Sequence, residues 1–489
     1  MRLQTLLERM EYSCPQGSAD VEVTDLVYDS RKVTAGSVFV CIKGAVVDGH
    51  TFIPSVCKAG AAAVVVQDEV EVPQNVTVIR VPDTRIALAE LSAAYFGHPA
   101  EQLKTIGITG TKGKTTTTYM IKSILEHAGY QVGLIGTIET IIGDTHIPAI
   151  NTTPESYVIQ ESFRKMVDAG MNVVVMEVSS QGLMMHRVGG FVFDIGIFTN
   201  LEPDHIGPNE HASFEEYMAC KGRLFKQCRL GIVNADDEHT EKMLAGHTCE
   251  IETYGLSEKA DLRATDMELI KGKGYLGVKY HAKGLVDCPV EIHVPGRFSV
   301  YNSLTAIAVC HHFKVTTENI QSALRAAKVK GRIEIVKVSD DFTLMIDYAH
   351  NAMSLKSLLS TLQEYEPGRL VCLFGCGGNR SKLRRYEMGE VSGNMADLTI
   401  ITSDNPRYEE PQAIINDIKV GMAKTDGKFV EIADRKEAIR YAVAHAKPGD
   451  VIVLAGKGHE DYQEICGVKH HMDERELIAE VVAELKSEA

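Results

Sequence analysis

The stretch TIGITGTKGKTTTTYMIKSILEHAG (105–129) constrains the fold more than any other. An apolar run, a glycine-rich loop and a helical pattern follow in that order, so backbone N–H groups and a helix N-terminus face whatever sits at the loop. The common nucleotide loop places four residues between its first Gly and the Gly-Lys-Ser/Thr end. Here Gly110 precedes Gly113-Lys114-Thr115 by only two residues, and counting from Gly107 gives five. The residue types are nonetheless complete: glycines for close backbone approach, Lys114 for outer phosphates and the Thr115 hydroxyl for Mg²⁺. Gly110, Thr111, Lys112, Gly113, Lys114, Thr115 and Thr116 are therefore the candidate phosphate segment. The plain alternative is a glycine turn between strand and helix.

Other short apolar runs punctuate the chain with helical patterns between them: 37–42, 61–67, 76–81, 173–177, 195–200, 230–235, 398–405 and 451–458. Continuous apolar runs at helix-sized spacing indicate buried parallel strands, so the fold class is α/β. A chain of 489 residues exceeds a single core, and three domains are expected. Polar, glycine- and proline-bearing breaks place them at 1–103, 104–330 and 331–489, with an antiparallel excursion within 249–297. The central sheet is expected to be of the mononucleotide-binding type and the C-terminal one Rossmann-like.

The formal charge of −15 argues against a general nucleic-acid or anionic-membrane surface. The 11 Cys are scattered without C-x-x-C spacing, which fits a reducing cytoplasm. Leu3, Leu6, Leu7 and Met10 suit a short amphipathic helix, and no run approaches the roughly 20 apolar residues of a membrane span.

Two further strand ends carry chemistry. VVVME ends in Glu177, and IGIFTNLEPDH leads to Asp204 and His205. Strand C-termini form the ligand face of an open α/β sheet, and a carboxylate there can hold Mg²⁺. Each residue alone reads equally as a capping or structural side chain.

GTKGKTTT, NTTPES (151–156), MEVSSQGL, TNLEPDH, YMACKGRLF (217–225), YNSLTA (301–306), GRIE (331–334), IDYAHNAMSL (346–355) and SDNPR (403–407) together resemble the ATP-dependent Mur ligases of peptidoglycan synthesis. The likeness is to the branch that adds the third peptide residue, and it spans all three expected domains. That family's loop, G-T-x-G-K-T, accounts for the short spacing. The resemblance implies that ATP phosphorylates a carboxylate of UDP-MurNAc-L-Ala-D-Glu and that an amine attacks the acyl phosphate, in a cytoplasmic monomer.

By the same resemblance Lys114, Thr115, Glu177 and His205 serve phosphate and metal, and Lys221 matches a lysine carbamylated by CO₂ to N6-carboxylysine. Asn302, Arg332, Asp347 and His350 match positions that hold ATP. Ser30, Asn151, Thr152, Thr153, Ser179 and Arg187 match contacts to the UDP-sugar peptide. Departures occur at Asn351-Ala352-Met353, where relatives read Thr-Pro-Asp, and at Asn379, Ser381 and Tyr386.

Asp404-Asn405-Pro406-Arg407 matches the motif that accompanies choice of meso-diaminopimelate over L-lysine. Diaminopimelate carries a second carboxylate that Arg407 can grip bidentately, with Arg385 as a second cation. Lysine would leave those cations without counter-charge. Gly456 and Glu460 match contacts to the amino acid's distal ends, and Arg380, Lys382, Arg384 and Arg385 form a local basic cluster. The rivals are a relative adding lysine or folate-linked glutamate, and a nucleotide switch that merely uses the loop.

Overall fold

The structure is a computed structural model, and it describes residues 1–44, 47–207 and 210–488. Packing separates the chain into two compact units, Met1–Arg263 with Thr305–Thr316 and Ala264–Leu304 with Thr317–Ala489.

The first unit opens with strands β1 (Ser13–Gln16), β2 (Leu26–Val27), β3 (Val38–Val40), β4 (Ala63–Val66) and β5 (Thr77–Arg80). They form one sheet in the order β1-β5-β4-β3-β2, parallel except where β1 meets β5. Leu3 and Leu6 of the short helix Leu3–Leu6 are buried in the same core as Val38, Val65 and Leu88. The helix Thr84–Tyr95 starts where the Asp83 carboxylate accepts the Arg85 and Ile86 N–H groups, satisfying donors that a helix start leaves open.

The same unit continues with β6 (Lys104–Thr109), β7 (Val132–Ile135), β8 (Glu139–Ile142), β9 (Thr145–Pro148), β10 (Val173–Glu177), β11 (Phe193–Phe198), β12 (Cys228–Asn234) and β13 (Glu250–Gly255). Their order is β13-β12-β11-β6-β10-β7-β8-β9. The strands from β13 to β7 are parallel, and β8 and β9 turn back antiparallel. Burial on both faces explains why β10 reads as the unbroken run VVVME. Phe193 and Phe198 of β11 share one buried cluster with Phe163 and Phe225, each fully buried. Each such side chain contributes roughly 1.5–3 kcal/mol.

In the second unit, β14 (Leu262–Gly272, from Ala264 on), β15 (Tyr275–Gly284) and β16 (Cys288–Ile292) form the expected excursion, with β15 and β16 antiparallel. Its start is later than expected, because β13 is a parallel member of the first unit's larger sheet. Then come β17 (Glu334–Val336), β18 (Thr343–Asp347), β19 (Arg369–Phe374), β20 (Leu398–Ile401), β21 (Phe429–Glu431) and β22 (Asp450–Ala455), in the order β17-β18-β22-β19-β20-β21. A hairpin of β23 (Tyr462–Ile465) and β24 (Val468–His471) follows.

Two expected strands end early. The run 398–405 leaves the sheet after Ile401, since the Asp404 carboxylate takes the Asn405 N–H at 2.6 Å and turns the chain. The run 451–458 stops at Ala455, where Gly456 adopts φ +109°. Both breaks fall at strand C-termini, where an α/β sheet presents ligand-binding loops.

Candidate functional site

In the first unit the loop after β6 is shaped by its glycines. Gly110 has φ +147°, and a Cβ there would stand 1.9 Å from Thr199 Oγ1, so no larger residue fits. Gly113 at φ +85° caps the helix Lys114–His127, whose first turn carries Thr115. The segment TNLE clips the loop from the next strand end. Asn200 accepts from Lys112 N at 2.9 Å and donates to Lys112 O at 3.1 Å, and Lys112 Nζ meets Glu202 Oε2 at 2.6 Å.

Behind the loop, Thr115 Oγ1 donates to Glu177 Oε2 at 3.1 Å. Glu177 is 1 % exposed and also accepts the Thr137 N–H and hydroxyl, each at 2.9 Å. This set of oxygen donors suits a hard cation such as Mg²⁺, which takes carboxylate and hydroxyl ligands.

Lys114 Nζ donates to Gly110 O at 2.8 Å and to Thr111 O at 3.0 Å, and Lys221 Nζ donates to the same Gly110 O at 2.8 Å. Lys221 is 2 % exposed. Burial, reinforced by the Lys114 charge, pushes its amine well below the ordinary lysine value. Its ammonium nitrogen lies 4.6 Å from the centre of the Tyr217 ring, and the Tyr217 hydroxyl meets Thr111 Oγ1 at 3.0 Å. Burial lifts the Tyr217 phenol to about 12.

His205 sits differently from expectation. It is exposed, left-handed at φ +54°, several residues past the end of β11, with Nδ1 3.2 Å from Glu210 Oε1. It and Lys221 both lie near Tyr217, whose ring centre is 6.1 Å from the His205 ring centre. The buried histidine of this loop is His211, whose Nε2 pairs with Ser180 Oγ at 2.8 Å.

Of the residues expected at the sugar-peptide, Thr153 meets Glu177 through the Glu177 backbone oxygen. Thr153 Oγ1 donates to Glu177 O at 3.0 Å and accepts the Ser179 N–H at 2.9 Å. Arg187 donates to Thr153 O at 3.0 Å, and Thr152 meets Thr137 at 3.1 Å. Asn151 is exposed. Ser30 lies apart in sequence, opening the turn Ser30–Lys32 that Asp29 caps.

In the second unit, Asp347 at the end of β18 is buried and accepts Ile333 N at 2.9 Å and Ala349 N at 2.8 Å. Burial raises its carboxyl pKa above the ordinary aspartate value, opposed by Arg332. The Arg332 guanidinium lies 4.9 Å from the Tyr348 ring centre, and His350 beside it is exposed. Asn302 is buried on the helix Phe298–His312. Gly331, at φ +68°, crosses Gly458 so closely that a Cβ would lie 2.1 Å from the Gly458 carbonyl carbon and the His459 nitrogen. Asn351, one of the departures, caps the helix Ala352–Gln363 by accepting Ser354 N at 2.9 Å.

The loop after β20 carries Asp404, Asn405, Pro406 and Arg407. Asn405 Nδ2 donates to Glu460 Oε2 at 2.9 Å. Arg407, left-handed at φ +53°, donates from Nε to Glu464 Oε2 at 3.1 Å and from Nη1 to Gly378 O at 2.7 Å. Its Nη2 hydrogen-bonds to none of the described residues. Gly456 is a neighbour, since a Cβ there would reach within 2.9 Å of Asp404 Oδ2.

The expected second cation is corrected. Arg385 is 1 % exposed and already bidentate to Glu409 at 2.8 and 2.7 Å, with Asp417 at 2.9 Å. The sequence could not reveal that capture, because both carboxylates come from beyond the 404–407 loop. Lys382 lies 3.7 Å from Asp417, and Arg380 and Arg384 flank it in sequence.

Three family models match in order: the "Mur ligase family, catalytic domain" over 22–96, the "Mur ligase middle domain" over 108–310 and the "Mur ligase, glutamate ligase domain" over 331–458. The chain belongs to the Mur ligase family. This Mur ligase is 42 % identical over 489 residues to a Clostridium perfringens protein named UDP-N-acetylmuramoyl-L-alanyl-D-glutamate--2,6-diaminopimelate ligase, covering 99 % of each chain. A protein of the same name from Caldanaerobacter subterraneus is 43 % identical over 487 residues, again covering 99 % of each. A solved structure with that name aligns at TM-score 0.75 and 27 % identity over 99 % of both chains. The three-domain α/β architecture is thus that of the family.

Several residues that contact the candidate site of this Mur ligase escaped the sequence reading. Thr137 follows β7 and looks like an ordinary turn hydroxyl until β7 is laid beside β10. Tyr217 stands one helical turn before Lys221, a spacing that hints at a shared face. Lys457, within GKGHE, is a lysine that only tertiary structure buries completely.

Proposed function

We propose that this Mur ligase joins meso-diaminopimelate to the D-glutamate carboxylate of UDP-MurNAc-L-Ala-D-Glu, cleaving ATP to ADP and phosphate. The observation that carries the reading is the 404–407 loop, where Glu464 and Gly378 hold Arg407 and leave its Nη2 edge uncommitted among the described residues, in the same loop as Asn405 with its partner Glu460. That edge suits a distal carboxylate, which lysine lacks.

The substrate carboxylate attacks the terminal phosphorus, ADP leaves, and an acyl phosphate forms. The incoming amine then attacks the acyl carbon, phosphate departs, and the amine's proton passes to solvent or phosphate. Lys114 supplies fixed positive charge at the phosphate loop while one anion approaches another. Thr115 and Glu177 would hold Mg²⁺, with His205 at the rim, and the ion when bound neutralises phosphate oxygens.

Lys221 is suited to carbamylation. Its depressed basicity favours the free amine, the form that attacks CO₂ to give a carbamate and one proton. The product anion would sit beside Lys114, turning a like-charge pair into an opposite-charge one. Asn302, Arg332, Asp347 and His350 are assigned to ATP. Ser30, Asn151, Thr152, Thr153, Ser179 and Arg187 are assigned to the sugar-peptide. Domain limits at 103/104 and 330/331 and action as a cytoplasmic monomer complete the proposal. No helix of the described residues is long and apolar enough to cross a membrane.

The test is phosphate release with ATP, Mg²⁺ and UDP-MurNAc-L-Ala-D-Glu, comparing meso-diaminopimelate, L-lysine and no amino acid, with the tripeptide product weighed by mass spectrometry. Turnover with diaminopimelate alone supports the assignment. Turnover with lysine would keep the ligase chemistry and remove the Arg407 pocket, and release without any amino acid would favour a nucleotide hydrolase.

A further inference from the structure

Lys457 is 0 % exposed. Its ammonium donates to Asn405 Oδ1 at 3.0 Å, to Glu460 Oε2 at 2.8 Å and to the carbonyl of Tyr462. An ammonium has three donors and no acceptor, so these partners saturate it. It therefore offers nothing to a ligand directly, and its influence must pass through the groups it holds.

The consequence falls on the Asn405 amide. Asn405 Oδ1 accepts both from Lys457 Nζ and from the Glu464 N–H at 2.9 Å, which fills the carbonyl's two lone pairs. The amide NH₂ is thereby turned toward Glu460, and one of its N–H groups goes to Glu460 Oε2. Glu460 Oε2 receives two donors, Lys457 and Asn405. What the network leaves is one Asn405 N–H as a donor and Glu460 Oε1 as an anionic acceptor, side by side. A donor next to an anionic acceptor matches one kind of ligand end, a carboxylate beside an ammonium on the same carbon. A flipped Asn405 would present its carbonyl to the Glu460 carboxylate and repel it.

We propose that Lys457 is a positioning residue for the third amino acid: it locks the Asn405 amide and the Glu460 carboxylate in the donor–acceptor order that reads a zwitterionic amino-acid head. This deepens the diaminopimelate reading above and rests on it. Lys457 touches no substrate. Without it the Asn405 amide keeps only the Glu464 N–H on its oxygen and the Glu460 contact on its nitrogen, so its orientation is held less firmly, and Glu460 loses its charge partner.

The experiment compares the full-length wild type with Lys457→Met, which keeps the length of the stem and removes the donors. Steady-state kinetics are taken for each of the three substrates in turn. Loss of a charge-assisted bond to each of two ligand-binding groups should raise KM for diaminopimelate roughly 10- to 100-fold, with KM for ATP and for the nucleotide-peptide within about twofold. A structural role alone would change all three together or lower kcat at constant KM, and either result overturns the proposal, as does an unchanged KM for diaminopimelate. If Lys457→Met fails to fold, Lys457→Met/Glu460→Gln removes the unpaired buried carboxylate. The double variant is compared with Glu460→Gln alone: the proposal expects a further rise in KM for diaminopimelate through the loosened Asn405 amide, with KM for ATP and for the nucleotide-peptide within about twofold, and no further rise, or an equal rise in all three, would refute it. Failure of the wild type to use diaminopimelate would refute the functional reading instead, so the two failures are distinguishable.

Discussion

Replacing Arg435 by methionine tests how the amino-acid loops are braced. Arg435 is 2 % exposed and lies on the helix Arg435–Ala444, reaching Glu474 Oε1 at 2.8 Å, Ser403 O at 2.9 Å and Ala455 O at 3.2 Å. Those two carbonyls immediately precede Asp404 and Gly456. Glu474 is itself fully buried, and its second oxygen has no partner among the described residues. Methionine would leave that carboxylate uncompensated, which costs about 3–5 kcal/mol. At about 2–4 °C per kcal/mol for a unit of this size, the melting temperature should fall by roughly 10 °C.

The deficit should depend on pH in a set direction. Burial raises the Glu474 carboxyl above its ordinary value of 4.5, so the fold binds more protons than the unfolded chain between those two values. Stability from this group is therefore lost as pH rises through the raised value. Removing Arg435 raises that value further, so the variant's deficit should shrink on acidification from about pH 7 to about pH 5. Thermal unfolding of the full chain followed by circular dichroism measures both effects. Arg435→Met/Glu474→Leu, which removes the stranded charge, should recover most of the loss. A single-variant penalty below about 1 kcal/mol, or a double variant no more stable than the single, would refute the reasoning.

Lys221→Met should abolish tripeptide synthesis yet stabilise the fold by about 1–3 kcal/mol near neutral pH. Burial lowers the lysine's proton affinity in the fold, so the unfolded chain binds that proton more tightly and the advantage of methionine should narrow as pH rises toward the ordinary lysine value of 10.5. Added bicarbonate should raise wild-type activity and leave the variant inert, and calorimetric melts across pH check the slope. Arg407→Ala should raise KM for diaminopimelate by about 2–3 kcal/mol of lost binding, with KM for ATP unchanged; equal effects on both would place Arg407 outside the amino-acid pocket. Gly331→Ala should destabilise by about 2 kcal/mol or more, because its Cβ would overlap the Gly458–His459 backbone at φ +68°, and should raise KM for ATP through Arg332.

The sequence by itself carried the class of fold, the phosphate loop and the order of the motifs. Those properties are local. An apolar run buried on both faces, a glycine with positive φ and a hydroxyl at a helix start are all written within a few consecutive residues, and Thr115 and Glu177 were legible for that reason. The tertiary structure decided what each charge faces. Lys221 looks like a solvated helix lysine until packing against Gly110 and Tyr217 removes its water and lowers its proton affinity. Arg385 reads as a free cation beside Arg407, but Glu409 and Asp417 reach it from 24 and 32 residues away. Lys457 gains its role only where two strand ends bring Asn405 within 3.0 Å across a separation of 52 residues. Backbone shape follows from near neighbours in the chain, whereas the protonation and pairing of a charge follow from desolvation and from partners that only the folded sheets assemble.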